Sequence, residues 1–157
     1  MNQEIERKFL VDKNLWNKID KPKGKKIIQA YLLNDPEKTI RVRVKGDKGF
    51  LTIKGKQKGI TRSEFEYEIP LTEAEKIISQ FGENIIDKTR YEIQIESHLW
   101  EVDVFYRDNE GLIVAEIELN SEDEKFIKPE WVLKDVSEEV EYFNSNLSIK
   151  PFKNWNK

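Results

Sequence analysis

Near the amino terminus the stretch EIERK sets Glu4, Glu6 and Lys8 at every second position, interleaved with Ile5, Arg7 and Phe9. On a β-strand successive side chains point to opposite faces, so two acids and a base stand in one row. Such a row can hold a divalent cation beside an anion, and it can equally be the wet face of an ordinary antiparallel strand. The pattern recurs. Arg41, Arg43 and Lys45 alternate with Ile40, Val42 and Val44; Thr52 and Lys54 with Leu51 and Ile53; Arg62, Glu64, Glu66 and Glu68 with Phe65, Tyr67 and Ile69. Further on, Lys88, Arg90, Glu92, Gln94 and Glu96 oppose Tyr91, Ile93 and Ile95. Glu101 and Asp103 oppose Val102 and Val104, and Glu116 and Glu118 oppose Ala115, Ile117 and Leu119.

The elements that carry these rows are read from the same periodicity. It predicts eight strands, near 3–11, 26–33, 39–45, 49–55, 61–69, 87–96, 99–106 and 112–119, with turn signals such as NDPE and KGDKG between them. Short connections imply antiparallel pairing. Helices are expected at 13–20, with Leu15, Trp16 and Ile19 on one face, and at 72–82, with Thr72 as N-cap, Glu75 completing a capping box and Gly82 as the stop. Segments 121–128 and 136–148 also read as helical. The expected fold is α+β, mainly β: a closed eight-stranded antiparallel barrel, closure removing the exposed edges.

Two barrels fit the pattern. In one the apolar faces point inward and the charges face water. In the other the charges line a tunnel, and the apolar faces point outward beneath the helices, which need something to pack on. Arg-x-Arg and Glu-x-Glu pairs place like charges about 7 Å apart, unfavourable without a counter-ligand, which brings the tunnel level with the ordinary barrel and leaves both open. Converging Arg and Lys side chains suit phosphate oxygens. Carboxylates beside them would repel that anion unless they hold Mg²⁺ or Mn²⁺, hard cations that take carboxylate, phosphate and water oxygens. The combination points to a metal-bound polyphosphate. No glycine-rich phosphate loop occurs, so side chains would do the holding.

Composition narrows the class. Across 157 residues, 36% are charged, yet the net charge is only −3. That lacks the basic excess of a general nucleic-acid binder. With no cysteine, disulfides and thiolate sites are excluded. No apolar run reaches membrane-spanning or signal-peptide length, so a cytoplasmic protein without a membrane partner is expected. No linker divides the chain, and residues 1–157 read as a single domain.

Eight segments resemble, in order, the motifs of the CYTH superfamily, the triphosphate tunnel metalloenzymes. They are EIERK, QAYL around Tyr31, RVR at 41–43, LTIKG at 51–55, R-x-E-x-E at 62–66, KTRY at 88–91, WEVDVF at 100–105 and AEIEL at 115–119. The resemblance implies metal-dependent hydrolysis of tripolyphosphate to pyrophosphate and phosphate. Lys8, Arg41, Arg43, Lys54, Arg62, Lys88 and Arg90 resemble its phosphate ligands. Glu4, Glu6, Glu116 and Glu118 resemble its metal-binding acids, joined by Asp103. Glu64 and Glu66 would complete the metal shell or place water, and Tyr31 would work beside Lys8. The expected partner is the small triphosphate, with Mg²⁺ or Mn²⁺ as cofactor; a homodimer is compatible with this class.

Alternatives stay open. A hydrolase or cyclase of an organic triphosphate, such as ATP or thiamine triphosphate, would need a recognition pocket that no motif marks. A non-catalytic polyphosphate-binding module would gain nothing from the acid rows. In the C-terminal stretch DVSEEVEYFNSNL, where relatives often carry basic residues, this chain has Val140, Glu141 and Phe143. His98 reads as a turn residue, Trp16, Trp100, Trp131 and Trp155 as packing anchors, and Glu68, Glu92, Glu96 and Glu101 as surface or ion-pair acids.

Overall fold

Alternation of the kind seen in EIERKFLV makes a strand with two unlike faces, and eight such strands do close on themselves. In the computed structural model, which describes residues 2–155, the strands are β1 (Gln3–Val11), β2 (Lys25–Asp35), β3 (Lys38–Lys45), β4 (Lys48–Gly55), β5 (Thr61–Ile69), β6 (Ile86–Ile95), β7 (His98–Phe105), β8 (Ile113–Glu118) and β9 (Val132–Asp135). Helices are α1 (Lys13–Lys18), α2 (Leu71–Phe81) and α3 (Asn144–Ile149). The sheet order is β5-β4-β3-β2-β6-β7-β8-β1, and an added β5–β1 pairing closes the ring. Every pairing is antiparallel.

Closure falls on β1. One edge pairs with β8, Glu6 opposite Glu118 and Lys8 opposite Glu116. The other edge is divided: β5 takes Gln3, Glu4 and Ile5, and β9, outside the ring, takes Phe9 and Val11. This ninth strand is a correction to the expected eight, and its four residues carry no long alternation to announce it.

The apolar faces point outward, as the tunnel arrangement requires. Phe9, Trp100, Val102, Ala115 and Ile117 form a buried cluster covered by Trp16 of α1, by Phe126 and by Trp131. Trp16 and Trp131 meet edge-on with ring centroids 5.3 Å apart. α2 lies over β3 and β4, where Ala74 comes so close that a Cβ on Gly49 would stand 2.6 Å from its methyl carbon. The helices do not cover everything: outward-facing Ile53, Phe65 and Tyr67 on β4 and β5 remain exposed.

One end of the barrel is sealed. Along the inner faces of β6, β7 and β8 the charged residues give way to Ile86, Phe105 and Val114. Leu147 of α3 packs on them together with Tyr142, Phe152 and Trp155. Asn34 Nδ2 donates to the Ser145 carbonyl at 2.8 Å and ties this C-terminal cap to β2.

Several local expectations are corrected. α2 starts at Leu71, not after a Thr72 cap; Pro70 fixes φ at −56°, and its carbonyl accepts from the amides of Glu73 and Ala74. Gly82 ends the helix as expected. Residues 121–128 are not helical, because Phe126 is drawn against Phe9 and Trp100, while Glu124 accepts from the Asn120 amide and pairs with His98. His98 therefore opens β7 and does not sit in the turn. Of 136–148, only a 3₁₀ turn at Val140–Tyr142 and α3 are helical.

Candidate active site

The inner faces enclose a cavity of about 200 Å³ whose wall is almost wholly polar. β1 contributes Glu4, Glu6 and Lys8; β2 Tyr31; β3 Arg41 and Arg43; β4 Lys54; β5 Arg62, Glu64 and Glu66; β6 Arg90; and β8 Glu116 and Glu118. Strand parity thus brings together all the expected site residues except two. Lys88 and Asp103 face inward but lie outside this wall, fully buried behind Arg90.

Most of the charges hold one another. Lys8 Nζ stands 3.1 Å from Glu116, and Arg90 Nη2 reaches the other oxygen of the same carboxylate at 3.2 Å. Lys54 pairs with Glu4 at 3.0 Å and with Glu64 at 3.6 Å. Arg41 Nη2 donates to Thr52 Oγ1 at 3.2 Å, and that hydroxyl donates to Glu66 at 2.8 Å. Buried pairs of this density keep charge inside a protein only because each group has a partner.

The exceptions mark two subsites. Among the described residues the Glu6 and Glu118 side chains, cross-strand neighbours, have no cation at ion-pair distance and no hydrogen-bond donor. Burial, Glu116 and Glu4 together push Glu6 well above the ordinary carboxylate range, and burial with Glu4 pushes Glu118 up. Conversely, Arg43 has no carboxylate partner among the described residues: its Nε donates to Gln29 Oε1 at 3.0 Å, and burial with Arg41 and Arg90 lowers its pKa to about 9. Arg41 Nε and Gln29 Nε2 are buried donors without an acceptor. Glu6 and Glu118 thus lack a cation, and across the ring Arg43 lacks an anion.

The paired acids differ. Burial raises Glu116, but Lys8 and Arg90 outweigh it and bring it down to about 2. Lys54 likewise outweighs burial at Glu4 and lowers it. Glu64 is raised, by burial and by Glu4.

The cavity also recruits residues that were not among the expected ligands, three of them members of the alternating rows. Lys45, Thr39, Thr52 and Glu101 line it, and Glu101 pairs with Arg90 Nη1 at 3.3 Å. Their parity on β3, β4 and β7 was the available signal. Phe143, Asn144 and Ser145 reach the wall from the C-terminal cap and supply no cation there. The Phe143 ring lies 5.6 Å from both Lys8 Nζ and the Arg62 guanidinium, and no local pattern announces that approach.

An antiparallel barrel with an interior of matched acid and base rows defines a charged-tunnel protein. The CYTH domain matches residues 2–149, and the chain belongs to that family. It is 46% identical over 156 residues to the inorganic triphosphatase of Acetivibrio thermocellus, covering 99% of each protein. The inorganic triphosphatase of Nitrosomonas europaea is 32% identical over 154 residues, covering 93% of this chain and 97% of the relative. A solved inorganic triphosphatase structure superposes with a TM-score of 0.64 at 31% identity, covering 93% of this chain and 94% of that one. A Bacillus halodurans protein shares the fold with a TM-score of 0.64 at 19% identity, covering 78% of this chain and 84% of that one. No helix among the described residues is long and apolar enough to cross a membrane.

Proposed function

We propose that this chain hydrolyses inorganic tripolyphosphate to pyrophosphate and phosphate, with Mg²⁺ or Mn²⁺ as cofactor. The observation that carries this is the set of unmatched charges lining one cavity: Glu6 and Glu118 without a basic partner, and across the ring Arg43 without an acidic one. Two similar inorganic triphosphatases covering almost the whole chain support the same chemistry.

The donor set fits a hard divalent ion. Among the described residues no three acidic or histidine side chains converge at metal-ligand spacing. Mg²⁺ does not require that, since it is commonly held by one or two carboxylates plus substrate phosphates and water. Glu6 and Glu118 would hold it, with Glu4 and Glu116 adjoining. Bound there, it neutralises phosphate charge and acts as a Lewis acid on the phosphoryl oxygens.

The chain's own residues do the rest. Arg41, Arg43 and Arg90 receive phosphate oxygens on the basic wall, with Lys8, Lys54 and Arg62 completing the ring; exchanging Glu4 and Glu116 for phosphate leaves those bases charged and frees the acids. Tyr31, opposite Arg41 in the register, offers a hydroxyl to the same phosphate. Water attacks the terminal phosphorus, the anhydride P–O bond breaks, and pyrophosphate leaves with the bond's electron pair. Glu64, its basicity raised by burial, is better placed than a fully paired acid to accept the water's proton. Phosphoryl transfer of this kind depends on positioning and electrostatics.

Organic triphosphates fit less well. Among the described residues, the cavity wall offers, apart from Tyr31, only Ile60 and Phe143 as apolar surface for a base or thiazole ring. Neither nucleic acid nor a membrane enters this reading.

The test is phosphate release from tripolyphosphate, ATP, thiamine triphosphate and pyrophosphate, with Mg²⁺, with Mn²⁺ and with EDTA. Turnover should be metal-dependent and greatest on tripolyphosphate. Arg43→Ala and Glu6→Ala should each lose about 10²–10³-fold in kcat while remaining folded. Undiminished turnover in either folded variant would overturn the assignment of that residue, and absence of turnover in the wild type would overturn the function.

A further inference from the structure

Among the described residues four arginines line the cavity, and they are held in two different ways. Arg41 and Arg90 stand within ion-pair distance of carboxylates, Arg41 at 3.7 Å from Glu66 and Arg90 at 2.8 Å from Asp103. Arg43 and Arg62 have no carboxylate at such a distance among the described residues, and in each case a glutamine takes its place. Arg43 Nε donates to Gln29 Oε1 at 3.0 Å, and Arg62 Nη2 donates to Gln57 Oε1 at 3.1 Å.

Each amide is itself fixed. Gln57 Nε2 donates to the Gly59 carbonyl at 2.8 Å and to the Ser137 carbonyl at 3.0 Å, so its oxygen is the atom left to face Arg62. These bonds tie the loop between β4 and β5 to the segment after β9, the two neighbours that share the divided edge of β1. Gln29 stands directly opposite Arg43 in the β2–β3 register, is fully buried and lies behind the cavity wall. Because Arg43 Nε carries a hydrogen, Gln29 must turn its oxygen there, which leaves Nε2 buried without an acceptor. Folding alone would be better served by a glutamate at 29, which would keep the bond to Nε, pair the buried charge and leave no orphan donor.

The difference lies in what each partner leaves free. A carboxylate holding a guanidinium neutralises it and stays beside the site to repel an arriving phosphate. An amide oxygen orients the same group and leaves its charge for the ligand. In Arg43 the bond is made at Nε, so both terminal nitrogens, an edge that can grip phosphate oxygens in parallel, have no protein acceptor among the described residues. In Arg62, Nη1 and Nε are likewise unengaged.

We propose that Gln29 and Gln57 are positioning residues that aim Arg43 and Arg62 at phosphate while leaving their charge uncommitted. This rests on the triphosphatase reading and deepens it: of the four arginines, these two meet the substrate without first surrendering a carboxylate.

The experiment is a pair of double-mutant cycles in kcat/KM for tripolyphosphate, at saturating Mg²⁺ or Mn²⁺, with thermal melts in EDTA on every protein. The single variants are Gln29→Met, Gln29→Glu, Arg43→Ala, Gln57→Met and Arg62→Ala; Gln29→Met is combined with Arg43→Ala, and Gln57→Met with Arg62→Ala. Each methionine should cost about tenfold, the loss of one hydrogen bond to a charged group. Neither combination should fall below its alanine variant alone, because a residue acting only through its arginine has nothing left to act on. Gln29→Glu keeps the acceptor but commits the charge. Its kcat/KM should fall about tenfold or more while its melting temperature stays at or above that of the wild type. A purely structural glutamine would move both quantities down together, and that outcome would overturn the proposal. Additive losses in either cycle would overturn the positioning role of that glutamine, and kcat/KM within about twofold of the wild type in Gln29→Glu would overturn the uncommitted charge. Where a methionine variant does not fold, asparagine, whose amide stops one methylene short of the arginine, enters the cycle in its place. A wild type that does not hydrolyse tripolyphosphate takes down the function and this inference together, whereas an active wild type with additive cycles takes down this inference alone.

Discussion

Glu6 is a carboxylate whose surroundings oppose its own charge. Burial, Glu116 and Glu4 raise its pKa, and the nearby Lys54 and Lys8 do not compensate. A raised carboxylate costs stability when ionised, so the penalty is absent below the unfolded value of 4.5, grows as pH rises from there toward the folded value and is complete above it. Glu116, brought down to about 2, behaves oppositely. Its contribution is complete above 4.5 and is lost as pH falls toward 2. Asp103 is also displaced downward: burial opposes the shift, but Arg90 and Lys88 outweigh it. The protein in EDTA should therefore melt highest in mildly acidic buffer, with the midpoint falling on both sides. Glu6→Gln should reduce the fall on the neutral side, leaving the part due to Glu64 and Glu118, and leave the acid side in place. Melting curves across the pH range decide it; a neutral limb unchanged in Glu6→Gln would mean that the unpaired charge is not what destabilises the apoprotein.

At the scale of elements, two tight hairpins invite comparison. Gly46 begins the two-residue loop between Lys45 and Lys48 with φ +60°, and Glu96 begins the loop between Ile95 and His98 with φ +53°. A left-handed backbone costs a residue with a Cβ roughly 1–2 kcal/mol, whereas glycine adopts it freely but loses about 0.5–1 kcal/mol of chain entropy. Glu96→Gly should stabilise the protein by about 0.5–1 kcal/mol, a rise of about 1–4 °C in Tm. A lower Tm would show that the Glu96 side chain contributes more than its backbone costs. The strands themselves were legible because alternation is a local property. β9 was not, being four residues whose pairing depends on β1, and segment 121–128 was misread because its helical pattern loses to the burial of Phe126. For the site, parity told which way each side chain points and could not tell how deep along the barrel it lies. Arg90 and Lys88 share a face, yet only Arg90 reaches the cavity, since the apolar cap begins beside Lys88.

On the scale of the whole molecule, the near-balance of charge in the sequence becomes an interior in which acids and bases neutralise each other until a ligand exchanges partners with them. The divided edge of β1 gives this arrangement a history. The strand made first holds Glu4, Glu6 and Lys8, but its neighbours at Glu116 and Glu118 come from the last strand of the ring, so that seam joins residues separated by most of the chain. Contacts so distant form slowly, because the loop between them must be closed before any pairing is gained. A nascent or refolding chain would therefore carry Glu6 and Lys8 without their cross-strand neighbours until synthesis and folding have passed β8, and a chain truncated before that strand would have a sheet but no chamber. In stopped-flow refolding, tripolyphosphate binding should appear only with the slowest phase of the fluorescence change. Binding that precedes that phase would mean the seam forms early and the basic wall alone suffices. Timing, as much as geometry, then keeps a partly made protein from engaging phosphate compounds before it can process them.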